Sequence, residues 1–139
     1  MSVTAAQGFA AAGVSAGIRP SGKPDVALVR SLVPAVGCAM WTRNRVQAAP
    51  VVVSRSHLAL AEPQAVVVNA GVANAATGRG GEEDARATAV HAARALGLEP
   101  EELIVLSTGV IGPRLPMEKL LAGVDAAASD LSPGGGAAA

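Results

Sequence analysis

Aromatic side chains are almost missing from this chain: Phe9 and Trp41 are alone among 139 residues, and there is no tyrosine. Their scarcity removes the stacking platforms on which single-stranded nucleic-acid binders and many cofactor pockets depend. Cysteine is equally scarce. Cys38 alone allows no internal disulfide and suits a reducing compartment, so a cytoplasmic location is expected. Nor is there an excess of charge, since eleven Lys and Arg balance eleven Asp and Glu. A neutral chain has no electrostatic pull toward nucleic acid or an anionic membrane surface. No run reaches the roughly 18 apolar residues of a membrane span, and the opening MSVTAAQGFAAAG lacks the basic and apolar regions of a secretory signal. Neither nucleic acid nor a membrane is expected as a partner.

What the chain has in quantity is small apolar residues. Apolar residues make up 50% of it, and 31 of the residues are Ala and 18 are Val. Such side chains bury less area each than Leu or Phe. The core they build is shallow, and some of its faces are expected to need a neighbouring chain.

Glycines and prolines up to Pro24 break any helix before it gains three turns, which predicts loops and short strands there. DVALVRSLV from Asp25 has strand composition, and VGCAMWTRN beyond Pro34 predicts a second strand that could pair with it as a hairpin. AAPVVVSRSHLALA mixes a valine run with helical spacing of its polar residues, and Pro50 suits a first helical turn; a helix is expected. QAVVVNAG predicts a buried strand ending in a turn at Asn69 and Gly71. GGEEDARATAVHAARALG places Ala85, Ala89, Ala92, Ala93 and Leu96 on one helical stripe, acidic residues in its first turn and Gly97 at its end. Leu103 to Leu106 predict another strand, and PMEKLLAGVDAAASDL another helix. Strand, helix, strand, helix is an α/β pattern. The segment 132–139, SPGGGAAA, reads as a flexible Gly/Ala-rich tail or a cut end.

Chemistry concentrates where strands end. In STGVIG, Ser107 to Gly112, the hydroxyl of Thr108 stands beside Gly109, whose N–H can be approached closely. The pair suits a developing oxyanion, where one such donor is worth about 3 to 4 kcal/mol. Spacing alone favours the plainer reading, in which Thr108 bonds nearby backbone and Gly109 turns the chain. In NAGVANAATG, Asn69 and Asn74 either satisfy buried backbone or position a ligand. A phosphate cradle is disfavoured there because the spacing is neither GxGxxG nor GxxxxGK and because Glu82, Glu83 and Asp84 follow. Arg43 and Arg45 share a face if extended, and could grip a carboxylate or line a solvated strand edge. His57 and His91 have no ligand-spaced Cys or Asp, so no metal is expected; His91 reads as solvated on a polar face with Asp84 and Thr88. Cys38 reads as a small buried apolar residue.

Taken together, VTAAQGFAAAGVSAGIRPSGKPDVALV, WTRNRVQAAPV, NAGVANAATG, EDARATA and STGVIGPRLPMEKLLAG, in that order from Val3 to about Leu131, resemble the ornithine acetyltransferase family, the bifunctional glutamate N-acetyltransferases of arginine biosynthesis. The resemblance implies a layered α/β fold of the self-processing, amidohydrolase-like kind, cut autocatalytically into α and β chains that stay together as α2β2. Residues 1–131 would be an α-chain part. In such enzymes the amino-terminal threonine of the β chain takes the acetyl group of N-acetylornithine and glutamate then receives it, without any cofactor. The resemblance assigns the oxyanion hole to Thr108 and Gly109. The Thr-Thr-Asp, Lys-Gly and Ala-Thr segments of the family do not occur before Ala139, so the nucleophile is expected on another part and this chain is expected to be inactive alone. Ala70 stands where serine is usual, Val72 where asparagine is frequent and Trp41 where phenylalanine is common. These departures motivate the alternative of a non-catalytic scaffold that binds a β-like partner.

Overall fold

Short runs rich in aliphatic residues become strands, and the Ala-striped segments become the helices that cover them. The computed structural model describes residues 2–139. Strands β1 (Phe9–Val14), β2 (Val26–Ser31), β3 (Ala65–Val72) and β4 (Leu103–Val110) form one sheet in the order β1-β2-β3-β4. β2 pairs antiparallel with both β1 and β3, whereas β3 and β4 run parallel. A parallel pair needs a long crossover, supplied here by helix α2 (Gly78–Leu96). Helices α1 (Ala49–Leu58) and α3 (Met117–Ser129) complete the α/β architecture expected from the element order.

The expected stripe on α2 is the buried one: Ala89, Ala92, Ala93 and Leu96 meet Leu120, Val124 and Ala127 of α3 over Val26, Leu28, Val67, Leu103 and Val105 of the sheet. Small residues set the spacing. A methyl on Gly123 would lie 2.6 Å from Ala16 Cβ and 2.9 Å from Val26 Cγ2, so glycine lets α3 settle directly onto the sheet.

Both sheet edges are closed. On β4, Ser54 Oγ of α1 donates to Val105 O at 2.8 Å and accepts from Val105 N at 2.9 Å, while His57 Nδ1 donates to Leu103 O at 2.9 Å. The helix thus answers polar groups that would otherwise template strand addition. On β1, Ala11 N donates to Ser132 O at 2.9 Å and Ser132 N to Ala11 O at 3.2 Å.

Three expectations change here. The predicted hairpin does not form, because β1 and β3 occupy both sides of β2; VGCAMWTRN instead runs as an irregular strap. Gln64 fastens its start, accepting from Ala35 N and donating to Ala35 O, each at 3.0 Å, and Glu62 Oε2 accepts from Gly37 N at 2.8 Å. Cys38 is therefore exposed on the strap and not packed inside a strand. The tail expected to be flexible lies along β1, with a 3₁₀ turn at Gly135–Ala137 and Gly136 buried, because its glycines let backbone meet backbone.

The sheet face opposite α2 and α3 has no helix. Val29, Val66 and Ile104 stand in register across it, followed by Leu106, which is 47% exposed. The strap crosses one end of this face, leaving a groove of about 430 Å³ lined by Phe9, Val29, Cys38, Met40, Trp41 and Leu106.

Candidate functional site

Because β3 and β4 are parallel, their C-terminal ends and the loops beyond them arrive on the same side of the molecule. β4 extends past the expected end at Leu106 and carries Ser107, Thr108 and Gly109 as its last turns of pleat. Thr108 and Gly109 are exposed there, opposite Ala70 and Gly71 of β3. The two loops are stitched together: Ala73 N donates to Val110 O at 3.0 Å and Gly112 N to Ala75 O at 3.1 Å.

The asparagines hold the first loop from inside. Asn69 is 3% exposed and donates through Nδ2 to Val72 O at 2.9 Å; fully buried Asn74 donates to Gly81 O at 2.8 Å and accepts from Thr77 Oγ1 at 2.8 Å. Both meet the buried-backbone reading. Asn74 and Ala76 carry positive φ of 48° and 57°, a conformation that is costly outside glycine and needs such bonds to persist.

Asp84 and Thr88 are not on a solvated face. α2 starts earlier than expected, at Gly78, which leaves the acidic residues beyond its first turn, and Asp84 lies on the buried stripe with Gly81, Ala85 and Thr88, where its carboxylate accepts from Arg114 Nε at 2.6 Å and Nη2 at 2.8 Å. Thr88 Oγ1 donates to Asp84 O at 2.8 Å. The guanidinium lies over Gly80, where any side chain would collide with it. The hydrogen bond to Asp84 holds the Arg114 pKa above its ordinary value. This bidentate pair ties the loop following Gly109 to α2, and sequence reasoning missed it because the partners are 30 positions apart.

A second missed element is Asp25. Its buried carboxylate accepts from Ala16 N at 2.7 Å, Ile18 N at 2.7 Å and Arg19 N at 2.8 Å. Burial pushes its pKa up, but the N–H groups of Arg19, Ala16 and Ile18 together outweigh that and hold it below the ordinary carboxylate range. The turn so formed abuts Gly71 through Ile18 and Arg19. Asp before a valine strand was the available signal, since the Gly and Pro loop ahead of it must be satisfied by some acceptor.

The remaining candidates fall elsewhere. Arg43 and Arg45 are exposed on a loop that Thr42, Asn44 and Gln47 close on itself, not on a strand edge. His57 is buried on β4's edge, and Nδ1 is the donor there because a carbonyl can only accept. His91 is partly buried rather than solvated, with Nε2 2.7 Å from Asp125 Oδ1 of α3. Ser107 Oγ is buried and without a hydrogen-bond partner, immediately before Thr108. Among the described residues no helix is long and apolar enough to cross a membrane.

Known proteins share this sequence pattern and this fold. The ArgJ family profile matches residues 10–139. The arginine biosynthesis bifunctional protein ArgJ of Streptomyces coelicolor is 55% identical over 137 residues, covering 98% of this chain and 36% of that protein. The protein of the same name from Thermobifida fusca is 53% identical over 137 residues, with the same 98% and 36% coverage. The chain thus spans about a third of the length of the curated relatives it matches. Among solved structures, ornithine acetyltransferase from Mycobacterium tuberculosis, complexed with ornithine, has a TM-score of 0.94 and 46% identity, over 99% of this chain and 76% of that one. The arginine biosynthesis bifunctional protein of Bacillus halodurans gives 0.90 and 36%, over 99% and 72%.

Proposed function

This chain belongs to the ArgJ family, and from that premise we propose that it is the α-chain part of a glutamate N-acetyltransferase and supplies the oxyanion hole to a threonine nucleophile on a β part. In this reading the threonine hydroxyl adds to the acetyl carbonyl of N-acetylornithine. The oxyanion so formed accepts from Thr108 Oγ–H and Gly109 N–H, and collapse expels the amine of ornithine. The amino group of glutamate then attacks the resulting ester and frees the threonine. No cofactor takes part, and the assembly is α2β2.

The observation that carries the proposal is the exposure of Thr108 and Gly109 at the end of β4, beside a sheet face that no helix covers. An oxyanion hole on one polypeptide can serve a nucleophile on another only if both lie at a reachable surface. The uncovered face, with Leu106 two residues before Thr108, offers the apolar area against which a β part would pack.

Acetyl transfer from N-acetylornithine to glutamate tests this. The isolated chain is expected to transfer nothing, and the chain assembled with a matching β part bearing an amino-terminal threonine is expected to be active. Thr108→Ala in that pair should lower turnover about 100-fold or more with assembly intact. Unchanged turnover would favour the non-catalytic scaffold suggested by Ala70 and Val72, and activity from the chain alone would contradict the division of labour.

A further inference from the structure

The backbone geometry around Gly109 points to a positioning residue on the neighbouring strand: we propose that Gly71 sets the place of the Thr108–Gly109 hole, a role that rests on the function proposed above. Gly71 and Gly109 are register partners in a parallel ladder, and both leave extended geometry, with φ of +117° and +135°. Only glycine adopts such values readily. A methyl on Gly109 would fall onto the carbonyl of Gly71 and within 2.6 Å of Val72 N, so the Gly109 Cα rests on the Gly71–Val72 peptide.

The peptide that follows it is held at both of its polar ends: Val72 O accepts from buried Asn69 Nδ2 at 2.9 Å, and Ala73 N of the same peptide donates across to Val110 O at 3.0 Å. On its far side a methyl at Gly71 would stand 3.0 Å from both Ile18 Cγ2 and Arg19 Cγ, in the turn that Asp25 organises through its hydrogen bonds. Gly109 therefore has a rigid floor of backbone from β3, braced by Asn69 from one side and by the Asp25 turn from the other. The device uses main chain at 71 and 72, so the unusual Ala70 and Val72 side chains leave it intact. In this role Gly71 needs no contact with substrate; it acts by holding the Gly109 N–H where charge develops.

Such a role has a kinetic signature. A donor that matters only once the oxyanion forms changes kcat and leaves KM, whereas loss of substrate contacts raises KM. In the assembled pair, Gly71→Ala is expected to lower kcat about 10- to 100-fold, the scale of an error in placement of up to about 1 Å, with KM within about twofold and the α-to-β assembly retained. Asn69→Ala, which frees the Val72 carbonyl without adding bulk, should lower kcat about 10-fold in the same way, and it carries the test should Gly71→Ala fail to assemble. Thr108→Ala serves as the reference. Full kcat in Asn69→Ala or in an assembled Gly71→Ala, while Thr108→Ala is impaired, would overturn the positioning role and leave the proposed function standing. A rise in KM alone would also overturn it. A wild-type pair without acetyl transfer would overturn both.

Discussion

Single residues in this molecule work mainly by answering backbone. Asp25 is the clearest, one buried carboxylate organising Ala16, Ile18 and Arg19. Its pKa in the fold lies below the ordinary 3.8, so on acidification the unfolded chain takes up the proton first. Its contribution to stability is then complete above about pH 4 to 5 and is lost as pH falls through the depressed value. Asp25→Asn places an amide where N–H groups converge, and should lower stability at pH 7 by about 2 to 4 kcal/mol while flattening the acid-induced loss between about pH 5 and 2. Urea unfolding of the wild type and variant across that range measures both effects, and identical midpoints at pH 7 would contradict them. At this scale the sequence was half legible. Thr108 and Gly109 stood out because they are adjacent, while Asp84 with Arg114, and Gly71 with Gly109, did not, because each pair is formed by folding.

At the scale of elements, the Ala stripe of α2 and the valine runs of β2 and β3 were readable because periodicity is a local property. Whether two strands pair is not local. Val36 to Asn44 has strand composition, yet β2 has only two sides and antiparallel β1 and β3 take both. The same rule explains why α1 carries polar residues inward: Ser54 and His57 replace the missing neighbour of β4. Ser54→Ala should leave the Val105 N–H and carbonyl unanswered in a buried place and cost about 1 to 3 kcal/mol. Denaturant titration checks this. A variant as stable as the wild type would mean that water or a shift of α1 satisfies those groups.

For the whole molecule, the decisive feature is an imbalance: one sheet face carries two helices and the other carries a strap. Met40 is 100% exposed and Val36 88%, alongside Leu106 and the groove beneath Trp41. An apolar surface of this kind is an association hazard unless a partner covers it. The isolated chain is expected to elute as aggregates or higher oligomers in size-exclusion chromatography, and to become a defined complex when a β part is supplied; a clean monomer with a cooperative melt would show that the face needs no cover. The sequence by itself determined the types of the three helices and four strands, the small-residue core and the placing of Thr108 and Gly109 at a strand end, since these follow from neighbours a few residues apart. Only the tertiary structure decided which strands pair, that the Gly-rich tail closes the β1 edge, and that Gly71 supports Gly109. Those contacts join segments far apart in the chain, and their energies come into being only when loop closure has brought the segments together.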